Sequence, residues 1–173
     1  MSLVSFCSLV LVVAVSCWQG SALKWTNCGE KESPVKVTTL RLKPNPIIVE
    51  QGKEVRFSGS VEVKGKVGST YKLKTEVVKN PGYWYAMTLG CYGSFGTCEY
   101  TDLKCEQMLP FLKVPSCPPP KGTYELKERR MTIPHLSIPS FLTNGLYSIK
   151  AEVFDQRTDE LLACAEVEVT ATS

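Results

Sequence analysis

The placement of the cysteines limits how this chain can fold more than any other feature of its sequence. Beyond an apolar N-terminal stretch the chain has six of them, two near its ends and four in the middle: Cys28, Cys164, Cys91, Cys98, Cys105 and Cys117. An even number of cysteines in an exported chain indicates disulfides. Zinc is the alternative, but no Cys-x-x-Cys pair occurs and the chain has one histidine. Six cysteines allow 15 pairings, so their spacing leaves the connectivity open.

Residues 1–22 have the pattern of a secretory signal peptide. Leu9 to Val15 form an apolar segment, no charged residue precedes Lys24, and Gly20 to Ala22 supply small residues for cleavage. A membrane anchor is the competing interpretation, but the apolar stretch is shorter than the roughly 18 residues that a spanning helix needs. We therefore expect a leader over 1–22 and a single domain over 23–173.

The net charge and its distribution along the chain do not indicate a particular class of binding partner. The formal net charge is +3, and the basic residues are scattered along the chain rather than gathered in one block. A nucleic-acid-binding protein normally has a basic patch with aromatic stacking positions, so we expect no nucleic-acid partner. Weak attraction to anionic membranes stays open, at up to about 1 kcal/mol for each well-placed basic residue.

Apolar and polar residues alternate with a period of two in four segments, which are Val55 to Val63, Tyr71 to Val77, Tyr147 to Val153 and Leu161 to Val169. This period is typical of antiparallel strands with one solvated face. Turn signals separate the segments, for example Asn80-Pro81-Gly82 and Asn144-Gly145. The pattern predicts an all-β fold, an antiparallel β-sandwich or β-cup.

Three apolar segments do not follow this alternation. Tyr83 to Leu89 is apolar or aromatic on both faces, which predicts that both its sides are covered. The segments Met108 to Pro115 and Ile133 to Leu142 combine apolar residues with prolines, which favour irregular paths. Because surface loops are normally polar, these two segments suggest the rim of a cavity or a lip that touches a membrane. Ordinary core packing is the alternative for each individual side chain.

The sequence offers little for catalysis. His135 is the only imidazole, and no serine lies in a Gly-x-Ser-x-Gly motif. The carboxylates near the C-terminus fall on the solvent sides of predicted strands and in a turn. We therefore expect no catalytic residue, no metal site and no cofactor, and predict a protein that is not an enzyme.

Several longer stretches together resemble the ML-domain lipid-recognition family. They include Trp25 to Cys28, Leu40 to Gly52, Gly82 to Cys98, Cys105 to Pro110, Ile133 to Ile149 and Leu161 to Cys164. These stretches cover most of the chain beyond residue 22, and the cysteines and the proline-rich segments agree together. Within the family, the resemblance is strongest to the glycolipid activators.

The resemblance implies a fold, a pairing and an activity. The implied fold is an antiparallel β-cup with an internal apolar lipid cavity, and the implied disulfides are Cys28–Cys164, Cys91–Cys98 and Cys105–Cys117. The implied activity is to lift a membrane lipid or glycolipid out of a bilayer during transient membrane contact. The lipid is then presented to a lysosomal hydrolase, a glycosidase such as β-hexosaminidase, so the implied location is secreted or lysosomal.

Two sets of residues are candidates for these roles. We expect the interior of the cup to be lined by Trp84, Met87, Tyr100, Leu103, Ile133, Leu136 and Ile149. We expect a docking lip on the membrane at Met108, Leu109, Phe111 and Leu112. A one-residue slip in strand register would reverse the first set, because successive side chains point to opposite faces.

Two other functions remain as alternatives. One is a secreted recognition protein or carrier, whose bound lipid is sensed by a receptor or another partner. The other is a β-sandwich adhesion module with a filled core.

Overall fold

Two antiparallel sheets account for most of the fold. The protein is described by a computed structural model that covers residues 23–92, 96–108, 114–133 and 142–173, so the predicted leader lies outside the described residues. Within these ranges the chain forms ten strands and one short helix: β1 Lys24–Asn27, β2 Val35–Lys43, β3 Ile47–Ile48, β4 Glu54–Val63, β5 Thr70–Lys79, β6 Met87–Thr88, β7 Glu99–Lys104, α1 Cys105–Met108, β8 Gly122–Thr132, β9 Gly145–Asp155 and β10 Leu161–Thr172.

The larger sheet has seven strands. Its order is β1-β10-β9-β5-β6, with β3 added on β10 and β7 on β5, and the smaller sheet has the order β2-β4-β8. All pairings are antiparallel except that of β3 with β10. The predicted all-β, antiparallel fold class is confirmed.

Period-two alternation decides which side chains point between the sheets. In β4, Val55 and Val63 are buried while Glu54 and Arg56 are exposed. The register then aligns inward side chains across each sheet, for example Ile149 with Val77 and Val167. Burial of these apolar faces drives the sandwich together.

Bulges interrupt the alternation in β8 and β10. In β8 an extra residue between Leu126 and Arg129 places Arg129 opposite Phe57, and therefore on the inner face. In β10 the shift places Leu161 opposite Phe154 on the outer face. The expected alternation from Leu161 to Val169 is therefore correct only from Ala163 onward.

The two sheets meet along one edge. The core consists of Val77, Leu89, Tyr147, Val169 and Ala171, with Leu42, Ile47 and Val49 packed against it. The closest approaches between the sheets run along β2, where it faces β10 and β1. Among the described residues, β4 and β8 make no comparable approach to β5, β7 or β9. The sheets therefore diverge away from β2.

Three disulfides hold the chain, and they confirm the pairings that the resemblance implied. Cys28–Cys164 joins residues 136 apart in sequence, Cys91–Cys98 closes a separation of 7, and Cys105–Cys117 one of 12. The first bridge ties the end of β1 to β10. Within the described ranges, no helix is long and apolar enough to cross a membrane.

Candidate functional site

The inner faces of the two sheets are apolar but incompletely buried. Phe57 and Val61 of the small sheet, and Leu73, Ile149 and Val153 of the large sheet, all point inward yet are only partly buried. Fully buried apolar side chains concentrate near β10, where the sheets meet. The diverging faces therefore form an apolar concave surface, the candidate site.

Three of the predicted lining residues lie on this surface. Tyr100 is aligned with Leu73, and Leu103 is aligned with Tyr71, so both side chains share the inner face of β5. Ile149 lies between Val77 and Val167 on the same face. These three expected lining residues therefore lie on the inner face, and their contact with lipid stays a prediction.

The other predicted lining residues have different positions. Ile133 follows β8 and is buried, and its backbone exchanges hydrogen bonds with Gly52 and Lys53. Met87 lies on the edge strand β6 opposite Lys79, with 38% of its surface exposed. Leu136 lies outside the described residues.

Trp84 does not line the concave surface, which corrects the expectation from sequence. It lies in the turn between β5 and β6 and is 95% exposed. The turn is closed by the Tyr83 N–H, which donates to the Asn80 oxygen at 3.3 Å, and Asn80 and Gly82 have φ of 51° and 80°. These left-handed residues reverse the chain, and the ring that follows projects into solvent.

The whole segment Tyr83 to Leu89 was expected to be covered on both sides, and this expectation is wrong. Tyr83 is 54% exposed and Tyr85 is 49% exposed, and only Leu89 is buried. The rings pack on one another instead, with centroids 5.3 Å apart for Tyr83 and Tyr85 and 5.3 Å apart for Trp84 and Tyr85. We call Tyr83 to Tyr85 the aromatic turn.

Exposed apolar side chains gather at the end of the sandwich that carries the aromatic turn. We call it the aromatic end; β5 ends there and β9 begins there. Of the seven large apolar side chains exposed among the described residues, six lie at this end: Tyr83, Trp84, Tyr85, Met87, Ile48 and Met131. Only Tyr92 lies elsewhere. Such clustering marks an interaction surface more strongly than scattered exposed side chains do.

A buried cation, Lys79, lies at the aromatic end and was missed in the sequence. Lys79 is 8% exposed on the inner face of β5, and its Nζ lies 5.7 Å from the centroid of the Tyr147 ring. The Tyr147 hydroxyl donates to the Leu142 carbonyl, and burial raises the pKa of Tyr147. Strict alternation from Tyr71 would have placed Lys79 inward, but its charge obscured that reading.

The opposite end, which we call the disulfide end, is polar and densely bonded. There the Asp155 carboxylate accepts hydrogen bonds from the N–H groups of Arg157 at 2.9 Å and Thr158 at 3.1 Å. Burial alone would raise the pKa of Asp155, but these bonds hold it below its usual value. The Tyr71 hydroxyl donates to the Gly68 carbonyl at 2.7 Å, and burial, then Asp155 and Glu106, raise the pKa of Tyr71.

The predicted docking lip starts from the disulfide end. The Cys105 N–H donates to the Ser69 carbonyl at 2.8 Å, which fixes the beginning of the Cys105–Cys117 loop there. Leu109, Phe111 and Leu112 lie outside the described residues, as does the side chain of Met108. The lip therefore stays a prediction.

Within the described ranges, no group of three or more His, Cys, Asp or Glu side chains is arranged to hold a metal ion. His135 lies outside those ranges. What the arrangement offers is an apolar surface between two sheets with an aromatic cluster at one end.

Comparison with known proteins shows which family this chain is related to. Ganglioside GM2 activator of Macaca fascicularis is 29% identical over 144 residues, covering 75% of this chain and 74% of the activator. The Mus musculus activator is 28% identical over 147 residues, covering 77% and 74%. A Niemann-Pick type C2 protein structure from the Japanese carpenter ant aligns with a TM-score of 0.49 and 13% identity, over 86% of this chain and 99% of that one. The model of the ML-domain family matches residues 22–171, and the chain therefore belongs to the ML-domain family.

Proposed function

We propose that this protein is a non-enzymatic lipid carrier, which takes a lipid or glycolipid from a membrane and holds its acyl chains between the two sheets. The observation that carries the proposal is the concave apolar surface, whose inward side chains such as Phe57, Leu73 and Ile149 are only partly buried. A filled sandwich core would bury such side chains against the facing sheet. Membership of a lipid-recognition family supports the same function.

The hydrophobic effect explains why a carrier of this form is useful. Each methylene group kept out of water is worth about 0.8 kcal/mol, so moving a 16-carbon chain through water would cost about 12 kcal/mol. An apolar surface between two sheets replaces the bilayer interior with protein of similar polarity. The transfer is then nearly neutral, provided that the protein touches the membrane while the lipid moves.

The aromatic end is the proposed membrane contact. Tryptophan and tyrosine side chains favour the interface between headgroups and hydrocarbon, and Tyr83, Trp84 and Tyr85 are exposed together. Met87 and Met131 extend this apolar surface toward the inner faces of β6 and β8. The loop that contains Met108, Leu109, Phe111 and Leu112 is the second candidate contact.

A narrower version of the proposal makes the protein an activator. Two relatives of this chain are ganglioside GM2 activators, which supports a glycolipid as cargo and a glycosidase such as β-hexosaminidase as partner. This activity fits a secreted or lysosomal protein. It is tested by cleavage of a vesicle-bound glycolipid by the hydrolase with and without the protein.

Native mass spectrometry of protein purified from its own host tests the carrier function itself. We expect a population with bound lipid, together with transfer of a fluorescent lipid between vesicles. A protein that is always free of lipid and moves none between vesicles would refute the carrier. Lipid transfer without stimulation of the hydrolase would refute only the activator version.

A further inference from the structure

Three cations form a row across the outer face of the small sheet at the aromatic end. In the register of the sheet, Lys43 lies opposite Arg56, and Arg56 lies opposite Arg130. All three point away from the concave surface, because their neighbours Val55 and Phe57 point into it. Side chains directly opposite one another have Cβ atoms about 5 Å apart, and like charges in this arrangement destabilise a sheet. We call these three residues the cationic row.

Neighbouring carboxylates neutralise the cationic row only in part. The Arg56 guanidinium lies 3.7 Å from the Glu54 carboxylate and 3.8 Å from that of Glu128. Among the described residues, Lys43 and Arg130 form no ion pair. Arg41, opposite Ser58, adds a fourth cation to the same face. An excess of positive charge therefore remains at this position.

The direction of the row fits a flat partner. The row runs across the strands, so it lies parallel to the end of the sheet rather than along its length. A flat surface that approaches this end meets all three cations at a similar depth and also meets the aromatic turn. Phosphate-bearing lipids supply the complementary charge, and hydrocarbon beneath them accepts the aromatic side chains.

We propose that Lys43, Arg56 and Arg130 form a docking surface for an anionic lipid bilayer, which brings the aromatic end onto the membrane. This inference rests on the proposed carrier function and names the kind of membrane that the carrier recognises. The structure gathers these cations from three separate strands, and the scattered charge in the sequence therefore concealed them.

A second group of cations lies at the disulfide end and serves as the reference. A cleft of about 530 Å³ is lined there by Lys31, Lys36, Lys64 and Lys66. Two of its four lysines are engaged within the protein: the Lys36 ammonium donates to the Lys31 carbonyl, and Lys64 lies 3.1 Å from Glu62. Glu32 and Glu160 line the same cleft, so we expect it to contribute little to docking.

The test compares two variants that lose the same charge. Lys43→Gln/Arg130→Gln removes two exposed cations of the row, and Lys31→Gln/Lys66→Gln removes two from the cleft. Binding is measured by sedimentation with phosphatidylcholine vesicles, with and without phosphatidylserine. Since each cation near an anionic surface contributes about fivefold in affinity, we expect the row variant to bind the anionic vesicles about 30-fold more weakly. Its binding to pure phosphatidylcholine should be unchanged.

The control variant should change binding to the anionic vesicles by less than about threefold, and high salt should remove the difference between the two variants. Equal losses in both variants would show that net charge alone acts, and would overturn the docking surface. An unchanged row variant with a native near-ultraviolet circular dichroism spectrum would also overturn it. A row variant that no longer binds heparin beads but binds anionic vesicles as the wild type does would also overturn the proposal, because the row would then bind a soluble polyanion.

Vesicle binding and lipid loading are separate readouts. A row variant that docks poorly on anionic vesicles but still exchanges lipid with phosphatidylcholine vesicles supports both proposals. A wild-type protein that docks on anionic vesicles but never carries lipid refutes the carrier and leaves the cationic row supported.

Discussion

At the disulfide end the chain is tied by Cys28–Cys164 and Cys105–Cys117 and by the hydrogen bonds around Asp155. At the aromatic end, by contrast, the described side chains include a fully exposed tryptophan and two half-exposed tyrosines that contact mainly one another. The disulfide end holds the chain by covalent and polar ties. The aromatic end contains the buried core around Val77, Tyr147 and Val169, but it also leaves apolar surface in water, which costs stability and is retained where a partner covers it.

The difference between the two ends would serve lipid uptake in a carrier. A cup that takes up acyl chains must admit them somewhere without unfolding. Covalent and polar ties hold the chain at the disulfide end, while the aromatic end exposes apolar surface beyond the buried core. We expect substitutions at the disulfide end to change stability, and substitutions of the exposed side chains of the aromatic turn to change membrane binding.

The largest expected effect is loss of the bridge between β1 and β10. Replacing it with Cys28→Ser/Cys164→Ser should lower the free energy of unfolding by about 5 kcal/mol, because the bridge closes a loop of 136 residues in the unfolded chain. The Cys91–Cys98 bridge spans a sequence separation of only 7, so Cys91→Ser/Cys98→Ser should lower the free energy of unfolding by about 2 kcal/mol. Urea denaturation of both variants measures the difference. Equal losses in the free energy of unfolding for the two variants would contradict the conclusion that the Cys28–Cys164 bridge stabilises the fold most.

Next in size is the loss of Trp84 from the aromatic turn. Trp84→Ser should weaken vesicle binding by about 2 kcal/mol, because a large apolar side chain no longer leaves water. Its thermal midpoint should stay the same, since the side chain is 95% exposed and supports no core contact.

Tyr92→Ser is the matched control for Trp84, because among the described residues Tyr92 is the exposed aromatic side chain that lies outside the aromatic end. We expect normal vesicle binding from this variant. If Trp84→Ser binds vesicles as the wild type does, the aromatic turn is not the membrane contact.

The smallest expected effect is the pH dependence from Asp155. The pKa of Asp155 in the folded protein lies below the usual value of 3.8. The carboxylate therefore contributes fully to the free energy of unfolding above pH 3.8, and this contribution is lost as the pH falls through the folded-state pKa. Asp155→Asn keeps the shape but loses the charge, and should cost about 1 kcal/mol at neutral pH. The two proteins should converge in stability below pH 3.8 in urea denaturation. A difference in stability between the wild type and Asp155→Asn that stays constant at acidic pH would contradict a stabilising role for the Asp155 charge.

Much of the fold followed from local patterns. The period of two in β4, β5 and β9 needs only one strand to be recognised, and left-handed turn residues such as Asn80 and Gly82 mark where strands end. The disulfide pairing did not follow from spacing; the family resemblance supplied it. Ile149 lies on the inner face because β9 keeps a regular register with β5 through this position. Tyr100 and Leu103 are three residues apart and share that face because the register of β7 shifts between them, which alternation alone would not have shown.

The errors arose where burial depends on distant segments. Tyr83 to Tyr85 look like core residues in sequence, but whether another segment covers a turn is decided by the whole fold. The position of Arg129 on the inner face depends on an extra residue opposite Phe57, which neither strand reveals alone. The cationic row likewise exists only once three strands are in register.

Hydrogen–deuterium exchange of the protein bound to anionic vesicles tests most directly which end meets the membrane. We predict slower exchange over the aromatic turn and β6, with no change at residues 29–34 and 64–69 of the disulfide end. Protection confined to the disulfide end, including the Cys105–Cys117 loop, with the aromatic turn exchanging as in solution, would contradict the account.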